Sequence, residues 1–162
     1  MKSQNVFALF LMTAALGAQA AVVRFDLSPA GSDKAVGLSP LNETPAVTNS
    51  TGSGNEIGSG ITFNTDTREL SLSLGYGTAF GFTDLTGPAT AAHIHGPATT
   101  NAPAAVIIDL AGIHVLATNP ATGGSIVGIV VVDTNQVADL LAGLNYINIH
   151  TATNASGEIR GQ

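Results

Sequence analysis

Three of the four histidines in this 162-residue chain stand where strand geometry could bring their imidazoles together. His93 and His95 are separated by one residue, so on a β-strand both side chains leave the same face about 7 Å apart. His150 lies on the opposite side of its strand from Ile147 and Ile149, which have the spacing of core residues. If the two strands are neighbours and share one core, we expect the three imidazoles to converge on the outer surface of the sheet.

Imidazole nitrogens are ligands that copper and zinc accept readily. The chain has no cysteine, which argues against an iron-sulfur or thiolate site. We therefore predict a copper or zinc site at His93, His95 and His150. The alternative is a hydrogen-bonded surface that holds no ion. His114, between two apolar residues, is interpreted as incidental to the site.

The segments 144–151 and 157–162 predict a closing β-hairpin, because apolar and polar residues alternate in both. Its polar face is more selective in residue type than solubility requires, carrying Tyr146, Asn148, His150, Glu158 and Arg160. Glu158 and Arg160, with Glu43 from earlier in the chain, are candidates for groups around the metal ligands. The alternative interpretation is that Glu158 pairs with Arg160 or with a neighbouring backbone group.

Alternation of apolar and polar residues recurs through the chain, most clearly in a hairpin over 57–64 and 68–76. There Leu72 and Leu74 should be buried, and Ser71 and Ser73 exposed. One short helix is expected between an N-cap at Asp133 or Thr134 and a stop at Gly143, and the Gly- and Ser-rich stretch 49–55 is expected to be a flexible loop. The pattern predicts an all-β, antiparallel Greek-key sandwich or barrel of about eight strands with one short helix.

Residues 1–20 have the features of a signal peptide: Lys2, an apolar run over 6–18, and small residues before the expected cleavage after Ala20. The rest, residues 21–162, would form a single domain that is secreted or periplasmic. No later segment predicts a membrane span. The net charge of −6 repels phosphate backbones, so nucleic acid is not expected as a partner.

Several segments resemble the CHRD domain, a module repeated in chordin and found alone in many exported bacterial proteins. They are 91–97 (AAHIHGP), 140–143 (LLAG), 146–151 (YINIHT) and 157–162 (GEIRGQ), and residues 41–47 (LNETPAV) are similar to the family's N-terminal motif. Thr44 and Ala46 stand where Val and Pro are more usual. The resemblance covers about residues 36–162 and implies fold and export more than an activity.

A looser resemblance links the chain to copper-zinc superoxide dismutase, a Greek-key barrel with an HxH strand and a later strand histidine as copper ligands. By this analogy His93, His95 and His150 would be the ligands, and Arg160 would guide an anion. The chain lacks the further His/Asp cluster of a zinc loop, and it has no disulfide. No GxSxG or other nucleophile motif is present either, so no catalytic residue is predicted.

These observations favour an exported CHRD-type protein that binds copper or zinc on its histidine face. The rival is a metal-free module that uses the same face or its loops to contact an extracellular protein or polymer. An oxidoreductase related in action to superoxide dismutase is the third possibility.

Overall fold

The computed structural model describes residues 21–27 and 34–162, and the predicted signal peptide lies outside these ranges. The described residues form ten strands and one short α-helix. The strands are β1 (Val22–Phe25), β2 (Gly54–Glu56), β3 (Ile61–Asn64), β4 (Glu69–Tyr76), β5 (Ala89–His95), β6 (Val106–Asp109), β7 (His114–Leu116), β8 (Gly124–Val131), β9 (Tyr146–Thr151) and β10 (Ile159–Gly161). The helix α1 (Val137–Leu141) follows a 3₁₀ turn over Thr134–Gln136.

The strands are arranged in two antiparallel sheets, which confirms the predicted all-β architecture in its sandwich form. Sheet A has the order β1-β3-β4-β8-β7, with β2 also paired to β4, and sheet B has the order β10-β9-β5-β6. The strand count exceeds the expected eight partly because β2 begins inside the stretch 49–55, which was expected to be a loop. Gly54 there pairs with Tyr76 of β4 and also bridges to Leu38.

Apolar side chains of both sheets meet in one core. Leu70, Leu72 and Leu74 of β4 are at most 3% exposed, as their spacing predicts. The prediction that Ser73 is exposed is wrong, since only 9% of this residue is accessible. The turn after β2 lies close to the Ser73 side chain, since a Cβ atom added at Gly58 would be 3.3 Å from Ser73 Oγ. Burial of a strand residue by a neighbouring turn does not depend on the alternation of apolar and polar residues in that strand, so the alternation does not predict it.

The outer face of sheet B is also buried, although its residues are polar. Tyr146, Asn148 and Arg160 are each at most 4% exposed, and Glu158 is fully buried. Segments 39–50 and 97–104 cover this face through hydrogen bonds to its side chains. Loops thus cover much of this outer face, including His95, whereas His93 and His150 remain half-buried.

Candidate metal centre and the cleft beside it

The three predicted ligand residues come together because β5 pairs with β9. In this register His93 lies opposite Asn148, and Ala91 lies opposite His150, so His93 and His150 are diagonal neighbours. Their rings are joined by a contact of 2.9 Å between His93 Nδ1 and His150 Nε2. His95 completes the group, in which one nitrogen from each imidazole lies within 4.8 Å of the others. The predicted convergence of the three rings is confirmed.

Two backbone carbonyls determine which nitrogens are available for a metal. The Nδ1 atom of His95 is 2.9 Å from the Ala104 oxygen, and the Nδ1 atom of His150 is 3.0 Å from the Ala155 oxygen. A carbonyl oxygen only accepts, so each Nδ1 carries the proton, and Nε2 of the neutral ring keeps its lone pair. In the neutral state His93 Nδ1 then donates to His150 Nε2.

The Nε2 atom of His95 is buried and has no hydrogen-bond partner among the described residues. An unprotonated imidazole nitrogen in that situation loses its hydration without compensation. Burial also lowers the pKa of His95 and of His150, so both rings are neutral near pH 7. Neutral imidazole is the form that ligates a metal.

The spacing suits a single ion. Two nitrogens bound at ~2.0–2.1 Å to one metal lie about 3.0–3.4 Å apart, close to the observed His93–His150 contact. The donor atom of His95, which lies within 4.8 Å of the other two, would have to move closer to share the ion. Three neutral imidazoles form a donor set for zinc or copper, and they leave a further coordination position for water or another ligand.

A stack of three side chains holds the plane of His95. The Tyr146 ring lies parallel to the His95 ring at a centroid distance of 4.8 Å, and the Arg160 guanidinium covers the other face of Tyr146 at 3.5 Å. Arg160 also donates to the carbonyls of Thr99 and Ala102, both at 3.0 Å. Arg160 thus acts on the centre indirectly, through Tyr146 and the covering loop.

Glu158 is not paired with Arg160. Its carboxylate accepts five hydrogen bonds of 2.6–3.0 Å from neutral groups, namely the Ser50, Thr86 and Thr151 hydroxyls, the Thr86 amide and the Asn154 side chain. Burial alone would raise the pKa of Glu158, but these hydrogen bonds outweigh it and hold the pKa below its ordinary value. Glu158 therefore ties the loops to β9, the strand that carries His150.

Glu43 lies in a different environment. It is 7% exposed and accepts one hydrogen bond of 2.9 Å, from the Asn148 side-chain amide. Burial raises the pKa of Glu43 to about 7, even though Arg160 and Asn148 act in the opposite direction. The Oδ1 atom of Asn148 is buried without a partner among the described residues. Asn148 itself lies between His93 on β5 and Arg160 on β10.

A cleft of about 400 Å³ opens beside this pair. The segment 43–49 forms one wall, and Pro103, Ser156 and Gly157 contribute to the others. Tyr146 and Asn148 also line the cleft, and they belong to β9, the strand that carries His150. The predicted residues Glu43 and Arg160 thus belong to the cleft more directly than to the metal ligands.

His114 lies outside the three-histidine group, in line with its interpretation as incidental. Its Nε2 atom is 2.7 Å from the Tyr76 hydroxyl, and Tyr76 is fully buried. The pair satisfies two polar groups at the end of the core. It provides an internal control for experiments on the other three histidines.

The family model of the CHRD domain matches residues 34–162. Neither a curated protein nor a solved structure matches the chain. Within the described residues, α1 and the 3₁₀ turns are all too short to traverse a bilayer. Since the match covers most of the sequence, including all three histidines of the centre, the chain belongs to the CHRD domain family.

Proposed function

We propose that this CHRD-domain protein is exported and binds copper or zinc through His93, His95 and His150. The observation that carries the proposal is the buried, unpartnered Nε2 of His95, aligned with two other imidazoles whose donor atoms lie within 4.8 Å. A group that is desolvated and left without a partner destabilises the fold unless a ligand compensates it. A metal cation that accepts the lone pair of His95 Nε2 would replace the missing hydrogen bond.

Binding or storage of the ion is better supported than superoxide chemistry. Arg160 is only 1% exposed and is held between Tyr146 and the loop carbonyls, so it is not available to guide an anion from solvent. The residues that contact the imidazoles from outside the group are a tyrosine ring and two backbone carbonyls. None of these groups is an acid-base catalyst in its present environment.

The proposal is tested by titrating Cu(II) and Zn(II) into tag-free protein and into the variants His93→Ala, His95→Ala and His150→Ala. Each variant removes one of three equivalent donors, so each should weaken binding of the preferred ion by at least about tenfold. The matched control is His114→Ala, which should keep the wild-type affinity. Equal affinity in wild type and in all three ligand variants would refute the site and favour the metal-free interaction module.

The affinity should also depend on pH. Protons compete with the metal for imidazole nitrogens, and the lowered pKa of His95 and His150 moves that competition below their ordinary titration range. Binding should therefore persist at pH 6.5 and weaken steeply as the pH falls further. Calorimetric titrations at a series of pH values check this. Loss of binding above neutral pH would contradict ligation by neutral imidazole.

Export is tested separately by the intact mass of protein recovered outside the cytoplasm. The small residues Ala18 and Ala20 behind an apolar run place the expected cleavage after Ala20. The recovered chain should begin at Ala21. A recovered chain that still carries Lys2 would contradict the proposal.

A further inference from the structure

The cleft beside the metal centre contains two hydrogen-bond acceptors that the protein itself leaves underused. Asn148 Oδ1 has no partner among the described residues, although Asn148 is only 2% exposed. Glu43 accepts a single hydrogen bond at Oε1 and is 7% exposed. Glu158, which is buried nearby, accepts five. Buried acceptors are normally satisfied, so these two point to a ligand that brings donors.

The backbone makes room for this pair at Gly157. A Cβ atom there would lie 2.6 Å from Glu43 Oε1 and would overlap the Asn148 amide. The backbone φ of Gly157 is +129°, a value that side chains with a Cβ rarely adopt. A glycine thus permits the close approach of Glu43 and Asn148 that forms the end of the cleft.

The charges around the cleft select against ions. Arg160 lies within electrostatic range of Glu43 although loop carbonyls hold its guanidinium, so its charge repels a cationic ligand, and an ionised Glu43 repels an anionic one. A neutral ligand with several donors avoids both penalties. The rest of the lining combines polar residues such as Thr44 and Ser156 with Pro45, Val47 and Pro103.

We propose that this cleft binds a neutral saccharide, with two neighbouring hydroxyl groups donating to Asn148 Oδ1 and to the Glu43 carboxyl group. A hydroxyl group both donates and accepts, so a pair of them can satisfy an acceptor and a carboxyl group side by side. An extended peptide presents its N–H groups singly and alternates them with carbonyls, which would face these same acceptors. This site is distinct from the metal centre and takes a ligand of another chemical class. It gives the extracellular-polymer alternative a specific location.

The test uses ¹⁵N-labelled protein from which metal has been removed with EDTA, so that failure of the metal proposal does not affect it. Glucose, galactose, mannose and N-acetylglucosamine are titrated while the amide signals of Gly157 and the Asn148 side chain are followed. At least one neutral sugar should shift these signals saturably. Glucosamine and glucuronate, which add one charge to a similar ring, should bind at least about fivefold more weakly than the best neutral sugar.

Glu43→Gln provides the sharpest variant. The new amide can donate to Asn148 Oδ1 and thereby close the site from within, so the affinity for the best sugar should fall by at least about fivefold. Glu69→Gln, on the outer face of sheet A, is the matched control and should bind as the wild type does. The proposal is overturned if none of the four neutral sugars shifts the Gly157 and Asn148 signals, if the charged sugars bind equally well, or if a folded Glu43→Gln variant retains the affinity.

Discussion

Glu43 and Glu158 are both buried beneath the loops that cover sheet B, yet the pKa of one is raised and that of the other is lowered. Burial acts in the same direction on both, because it disfavours a charged carboxylate. The difference lies in their partners: Glu158 accepts five hydrogen bonds from neutral groups and Glu43 accepts one. The five donors around Glu158 distinguish this structural carboxylate from Glu43, which has one donor and capacity for a ligand.

The largest effect is expected at Glu158. Its replacement by Ala removes the shared acceptor of Ser50, Thr86, Thr151 and Asn154, and it leaves the Thr151 hydroxyl fully buried without that partner. The free energy of unfolding should fall by about 3 to 5 kcal/mol in urea denaturation. Glu69→Ala, at an exposed carboxylate, should change it by less than about 0.5 kcal/mol. A loss below about 1 kcal/mol at Glu158 would show that water replaces the network.

Gly157→Ala should have the next largest effect, because it combines backbone strain with a clash against the Glu43–Asn148 pair. A loss of about 2 to 4 kcal/mol is expected. Gly81→Ala is the matched control, since φ is +84° there and no atom lies within 4 Å of the added Cβ. That control should cost about 1 kcal/mol from the backbone alone. If the two variants lowered the thermal unfolding temperature equally, Glu43 and Asn148 would be able to move away from the added Cβ atom without a loss of stability.

Glu43→Gln should have the smallest effect, and its size should depend on pH. The folded-state pKa of Glu43 is about 7, against an ordinary 4.5, so between these values the folded protein holds a proton that the unfolded chain releases. Stability of the wild type relative to Glu43→Gln should therefore fall as the pH rises through this window, by up to about 3 kcal/mol. Denaturation at a series of pH values measures it. If the stability of the wild type relative to Glu43→Gln rose with pH, the raised pKa of Glu43 would be contradicted. The contribution of Glu158, whose pKa is lowered, is instead lost as the pH falls.

The sequence predicts which three histidines form the group, but it does not predict the register of the strands that carry them. Period-two alternation places His93 and His95 on one side of their strand and His150 on the non-core side of another. Alternation cannot show that β5 pairs with β9, since the two strands are distant in the chain. The family resemblance was expected from about residue 36, and the family model matches from residue 34. The resemblance implies the fold, but it does not say which strands are paired or in which register.

The covering loops could not be predicted from the same patterns. Their contacts use backbone carbonyls, such as those of Ala104 and Ala155, which leave no signal in side-chain type. The pair formed by Glu43 and Asn148 joins positions 105 residues apart, and nothing local in either segment requires the other. Residue types indicate that the face is chemically selective, but only the fold shows how far loops cover it and that a cleft opens beside the histidine group.

The pairing of β5 with β9 has a consequence for the rate of folding. His93 and His150 are 57 residues apart, and β4 likewise pairs with the distant β8. Such pairings require a long segment of chain to lose conformational entropy before the stabilising contacts between the strands can form. Chains dominated by such pairings fold in milliseconds to seconds. The two halves of the histidine group should accordingly meet late, so that the three imidazoles come together only with the final assembly of sheet B.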